Sequence, residues 1–374
     1  MRVGHAIDEQ VLVDHHVHSL FDRDLSRAEL EASITEARTP VGHPHTQFDS
    51  QLGFALRRHC APVLGLPAFA SAEEYVARRT ELGFEEVSKR LLAAAGISDY
   101  CIDGGHRPHE LMSTEAFEVL SGARVHEVLR LESAAEEAMA NAASGHQFLD
   151  RLHAALGAAR PVAFKTVAAY RCGLDLDPAK PADDEVASAA EHWHDEVWHG
   201  APLRLMDPVL IRHLMWWALE QGRPLQVHTG FGDPDLELRS ADPALLQPII
   251  ARSEQSPGRI VLLHCYPFER SAGYLAHAYP HVYVDVGLAT GYLGANAETF
   301  LRGAMDLAPF HKLLFSTDAF GLPELVYLGA RVWRSAMTRL LTAYVDQEGW
   351  PVSEAVRIAR MFGTDNARAL YAFS

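Results

Sequence analysis

A chain of 374 residues with 48% hydrophobic and 22% charged positions has the composition of a globular protein, long enough for one large α/β barrel or two ordinary domains. Its formal net charge of −16, with no Lys/Arg run longer than a pair, sets any nucleic-acid polyanion against net repulsion and argues against such a partner. Met1 to Gln10 has no apolar core of signal-peptide length and no apolar stretch reaches about 18 residues, so the expectation is a soluble, cytoplasmic protein with no membrane partner.

The first predicted strand runs from Val11 to His18 and ends in Asp14-His15-His16-Val17-His18. Side chains alternate along a strand, so Asp14, His16 and His18 are expected to share a face. Two imidazoles at i and i+2 make half of a divalent-metal site. The chain has 21 His, and two other His-x-His triplets occur, His43-Pro44-His45 and His192-Trp193-His194. Neither follows an apolar run, and solvated loop residues are the simpler account of both. A mostly helical stretch follows, about 26–95, interrupted at Thr39-Pro40 and His43-Pro44, with Ser71-Ala72-Glu73-Glu74 reading as a capping box. It is longer than a βα connection needs and is expected to be an insertion that shapes a pocket.

Further apolar runs recur between helical patterns: 99–103, 125–131, 161–167, 224–228, 259–264, 281–286 and 312–318. A long helix is expected over Ala134 to Ala159. Counting the first, there are eight strands alternating with helices, which predicts an α/β fold, a (β/α)8 TIM barrel with a helical insertion after the first strand, as a single domain over 1–374. In such barrels the active site lies at the carboxyl ends of the strands. Strand one ends in His16 and His18, strand four carries Lys165, strand five ends in His228, strand six in His264 and strand eight in Asp318. Single residues of this kind are ordinary caps or buried polar groups; their recurrence at strand ends points to one shared site.

Arg171 lies just beyond strand four, where its guanidinium could bind a substrate carboxylate or fix the loop that follows by a salt bridge. That loop, about 172–207, holds four prolines around a helix expected from Asp183 to His199, and its length suggests a lid. Gly230 to Asp235 reads as a turn-rich binding loop, with Asp233 a substrate-binding candidate. Leu325 to Tyr344 carries an amphipathic stripe, and Thr364 is expected to cap a short closing helix that ends near Tyr371. The four cysteines, Cys60, Cys101, Cys172 and Cys265, form no Cys-x-x-Cys pair and are expected to be reduced and structural, with Cys265 facing away from His264.

From Asp14 to Tyr371 the sequence resembles the amidohydrolase superfamily, specifically its metal-dependent TIM-barrel hydrolases, and within them the branch that includes the amidohydrolase portion of proteins fused to a glutamine-synthetase-like domain. The carrying segments are Asp14 to His18, Phe164 to Arg171, His228 to Asp233, Leu262 to Pro267 and Ser316 to Ala319, in that order. No glutamine-synthetase-like segment follows here, so the resemblance implies a stand-alone hydrolase. It also implies that His16, His18 and Asp318 hold one divalent ion, zinc for preference, and that His228 and His264 hold a second. Lys165 would then be carboxylated by CO2 and bridge both ions; the alternative is a lysine paired with Glu132 or Asp285, and a single ion. The expected reaction is hydrolysis of an amide or ester bond in a small, carboxylate-bearing molecule by metal-bound hydroxide, with Asp318 as proton shuttle. A single-zinc decarboxylase with His264 in proton transfer is the rival, and a non-catalytic binding protein is a third reading. Substrate, metal and any homo-oligomer stay open at this point.

Overall fold

The computed structural model describes residues 3–373, so positions 1, 2 and 374 of the expected domain lie outside the described residues. Eight parallel strands follow one another around a single sheet in sequence order: β1 (Leu12–Val17), β2 (Ile97–Asp103), β3 (Arg124–Arg130), β4 (Ala163–Thr166), β5 (Pro224–Thr229), β6 (Arg259–His264), β7 (Val282–Asp285) and β8 (Leu313–Leu314). Past β8 the chain keeps running beside β1. The Asp318 N–H donates to the His16 carbonyl, His18 N–H to Ala319 and Phe21 N–H to Gly321. These bonds close the sheet, and with helices between the strands the architecture is the expected (β/α)8 TIM barrel. The last strand is shorter than the predicted 312–318, because after Leu314 the pairing turns irregular and Asp318 adopts a left-handed φ of 50°.

Strands buried on both faces need apolar residues at nearly every position, and β6 is buried from Ile260 through His264. One set of side chains fills the barrel: Val13, Cys101, Val128, Ala163, Val261 and Leu314, closed from below by Ala367 and Tyr371 of the C-terminal helix Asn366–Tyr371. The other set, including Leu12, Phe164, Leu262 and Trp333, packs against the surrounding helices. Removal of this apolar surface from water is what holds the helices to the strands.

Alternation carries the interior from apolar to polar within two residues on most strands: Cys101 to Asp103, Val128 to Arg130 and Ala163 to Lys165. The strands β1 and β6 break that rule. In β1 the pairing register with β2 shifts between Asp14 and Val17. Asp14 therefore does not share the face of His16 and His18; its carboxylate accepts from the peptide N–H and hydroxyl of Thr317 instead. In β6, Leu263 faces the barrel, so its neighbour His264 would point outward. His264 and Cys265 both take left-handed φ values, 67° and 64°. For non-glycine residues this backbone is costly, and here it turns the imidazole inward while Cys265 packs against Thr229 and Leu262.

The expected helix over 134–159 is two helices, Leu131–Ala140 and Gly145–Ala158, the second capped by Ser144. Thr364 is not a cap: it sits in a π-turn, Met361–Asp365, and donates its hydroxyl to the Val11 carbonyl. Between β1 and β2 the helices Arg27–Ala32 and Ala72–Ala95 each open with a full capping box, at Ser26 and Ser71. The buried Arg79–Glu324 ion pair at 2.8 Å, joined by the Tyr75 hydroxyl, ties this segment to the helix Pro323–Glu348. The helix Asp183–Trp198 in the expected lid packs Trp193 edge-on against Phe148, on the flank of the barrel. The four cysteines are free thiols, three of them buried.

Candidate metal centre

At the carboxyl ends of the strands the polar side chains converge on Asp318. Its Oδ1 lies 3.0 Å from His16 Nε2 and 3.5 Å from His18 Nε2, and its Oδ2 lies 3.4 Å from His264 Nε2. Lys165 reaches the same point from β4, with Nζ 3.3 Å from His16 Nε2. His228 stands beside them, its ring 4.6 Å from that of His264 and 4.7 Å from that of Tyr170. All the residues expected in the site from the five strand ends are thus neighbours. The other two His-x-His triplets are not: His43 and His45 are exposed, and His192-Trp193-His194 lies not in a loop but on the flank helix.

Burial sets the electrostatics. It pushes the imidazoles of His16, His228 and His264 well below their ordinary pKa, and that of His18 down to about 4, so all four are neutral and hold lone pairs. It pushes the Asp318 carboxyl up to about 6 and lowers the Lys165 ammonium to about 8. Among the described residues neither Glu132 nor Asp285 pairs with that lysine. Glu132 accepts from the Thr166 hydroxyl and Val167 N–H, and Asp285 accepts from His15 and from the N–H groups of His264 and Gly287.

Several atoms at this point lack partners: His228 Nε2, both ring nitrogens of His264 and Asp318 Oδ1 are buried without a hydrogen bond. Such groups are costly unless something else satisfies them. The donor atoms of His16, His264 and Asp318 all lie within 4.8 Å of one another, as do those of His16, His18 and Asp103. Neutral imidazoles and a carboxylate facing each other without intervening protons fit a divalent cation.

Asp103 at the end of β2 is a residue the sequence reading passed over. Although burial opposes it, the Arg130 guanidinium, donating through Nε and Nη2 to Oδ2, holds its carboxyl well below the usual carboxylate range. The Asp103 carbonyl also accepts from His18 Nδ1 at 2.9 Å. Asp103 and Asp285 both end strands, so the rule that found Asp318 would have found them too. His15 and Gln226 lie beneath the histidines and carried no such signal.

The site opens into a cavity of about 720 Å³. Residues 32–40 of the segment after β1 form part of its wall, with Glu36 hydrogen-bonded by the Tyr292 hydroxyl at 2.7 Å. Burial raises the Glu36 carboxyl to about 7, against that hydrogen bond. Of the expected lid only Arg204 reaches the cavity. Arg171 lines it, but its Nη1 pairs with Glu136 at 2.8 Å and approaches the Leu205 carbonyl, which is the loop-fixing alternative. Asp233 also lines it; its carboxylate caps Asp235 N–H, and its own N–H donates to the Tyr170 hydroxyl. Gly232 has no room for a side chain, since a Cβ there would fall 1.9 Å from the Tyr170 oxygen.

Comparison with known proteins agrees with this geometry. The chain is 34% identical over 222 residues to Protein fluG of Emericella nidulans, a match covering 56% of this chain and 25% of that protein, so the chain spans about a quarter of that relative's length. A candidate metal-dependent hydrolase from Lactobacillus casei superposes with a TM-score of 0.85 at 25% identity, over 99% of this chain and 97% of that one. A uronate isomerase from Bacillus halodurans shares the fold alone, with a TM-score of 0.65 at 14% identity over 100% of this chain and 96% of its own. The description of the family named Amidohydrolase matches residues 134–373, from the helix after β3 to the C-terminal helix, and the chain belongs to that family.

Proposed function

We propose that this protein is a metal-dependent hydrolase of an amide or ester bond in a small, carboxylate-bearing substrate. The observation that carries the reading is the position of Asp318, partly buried, within 3.5 Å of three imidazoles and open to the cavity. His16, His18 and Asp318 would hold one divalent ion, zinc for preference, and His228 and His264 a second. A bound ion of this kind supplies Lewis acidity, which makes water a nucleophile at neutral pH and polarises the scissile carbonyl.

The chain's own groups do the rest. Asp318, with its pKa raised to about 6, takes a proton from the attacking water and returns it to the leaving nitrogen or oxygen. Lys165, lowered to about 8, has a substantial neutral fraction near that pH. Its amine can add to CO2 and lose one proton, giving a carbamate that would bridge two ions. For the substrate carboxylate, Arg130 is better placed than Arg171: Nε and Nη2 are held by Asp103, while Nη1 makes no hydrogen bond among the described residues and the side chain lines the cavity. Asp233 would act through the turn it stabilises.

Metal analysis of the purified protein, followed by assay against amides and esters of dicarboxylic acids, tests the reading. One or two ions per chain and turnover abolished in Asp318→Asn support it. A protein that holds one ion, leaves His264 free and releases CO2 from its substrate is the decarboxylase instead.

A further inference from the structure

Beneath the histidines lies a hydrogen-bond chain whose direction is fixed at every link. Gln226 Nε2 is 2.8 Å from the His15 carbonyl oxygen, which can only accept, so the amide nitrogen is on that side. The Gln226 carbonyl oxygen then faces His16 Nδ1 at 2.8 Å, and that nitrogen must carry the proton. His16 Nε2 is left with its lone pair toward Asp318 and Lys165.

The same amide nitrogen donates to the Tyr371 hydroxyl at 2.9 Å. Asp285 Oδ1, 3.1 Å from His15 Nε2, can only accept as a carboxylate, so the neutral His15 ring carries its proton on Nε2 and its Nδ1 accepts from the Tyr371 hydroxyl at 2.8 Å. Asp285 Oδ2 in turn accepts the N–H groups of His264 and Gly287. No group can reverse without orphaning a neighbour, and every member is buried.

We propose that Tyr371, in the last helix of the barrel, is a positioning residue of the metal centre, sharing with the His15 carbonyl the hold on Gln226 that keeps His16 protonated on Nδ1 and its Nε2 free for an ion. The inference rests on His16 being a metal ligand. Without the hydroxyl, the Gln226 amide nitrogen keeps one acceptor, the His15 carbonyl, where it had two, and the amide turns over more readily. The imidazole of His16 then spends part of its time with Nε2 protonated, a form that binds no cation. The tyrosine ring, stacked on His15 with centroids 5.6 Å apart, supports the packing separately.

Tyr371→Phe keeps that ring and removes the oxygen alone. Its zinc affinity, measured by chelator competition, is expected to fall about 10- to 100-fold, with a changed visible spectrum for the cobalt(II)-substituted protein. Affinity and spectrum equal to wild type would overturn the proposal. A second measurement needs neither the variant nor a metal: ¹⁵N-histidine NMR of the chelator-treated wild type should show His16 as the Nδ1–H tautomer and His15 as Nε2–H. His16 found as Nε2–H defeats the relay even if the hydrolase reading stands. A wild type that binds no ion defeats that reading while the tautomers still decide the relay.

Discussion

The lower and upper storeys of the barrel are built by the same strands and obey opposite rules. Below, Val13, Cys101, Val128, Ala163, Val261 and Leu314 make an apolar plug with no polar group to satisfy. Above, two residues further along, Asp103, Arg130 and Lys165 occupy the equivalent positions, joined by the redirected histidines. Regular alternation suffices for the plug. The upper storey has a register shift in β1 and left-handed residues in β6 and after β8, so backbone regularity is given up where chemistry is expected.

If the storeys are this distinct, perturbing one should leave the other's property intact. The largest effect is expected for Asp318→Asn. Loss of the proton carrier should lower kcat of the ion-loaded protein by about 10³-fold or more with little change in KM, read by steady-state kinetics. Near-normal kcat would remove Asp318 from the reaction. Chelation should cost the folded state about 4 kcal/mol if the ion is normally present at about a thousand times its Kd, and zinc should restore the melting temperature. Leu263→Ala, in the plug, should destabilise by about 2 to 5 kcal/mol while the ion stoichiometry is unchanged. An altered stoichiometry would show that the storeys are coupled.

The smallest effect concerns the cavity wall. Glu36 titrates near 4.5 when unfolded and about 7 when folded, so the native state binds its proton more tightly and stability falls as pH rises between those values. Glu36→Gln in the chelated protein should therefore be more stable than wild type above pH 7, by on the order of 2 kcal/mol after screening by pocket water, with the gain gone near pH 4.5. Denaturant titrations across that range give the sign directly.

The barrel and the convergence of its candidate site were legible in the sequence because these residues fall in or at the ends of apolar runs. His16, His18, Lys165, His228, His264 and Asp318 all reach one place. The deviations arise from backbone detail that no pattern encodes. Asp14 was grouped with His16 on strict alternation, which the register shift cancels. Thr364 has a cap's chemistry, but its hydroxyl donates to the Val11 carbonyl and accepts from Gln10 Nε2 instead. In sequence Arg171 reads as either anchor or binder; which role it takes depends on Glu136, a helix residue that sequence spacing does not place beside it. Glu36 could not have been found at all, because the non-helical run after Arg27–Ala32 carries no periodicity to fix where it goes.

The closure of β1 against the far end of the chain also sets an order of assembly. His15 touches a residue 356 positions later, and the N–H of Thr317 reaches Asp14 across 303 positions. On a ribosome, His16 and His18 are made first and must wait for almost the whole chain before their surroundings exist. Such distant pairings form late and slowly. The nascent histidines would thus stay unconstrained until the barrel closes, and, on the proposed reading, selection among ions would be an event of the finished barrel.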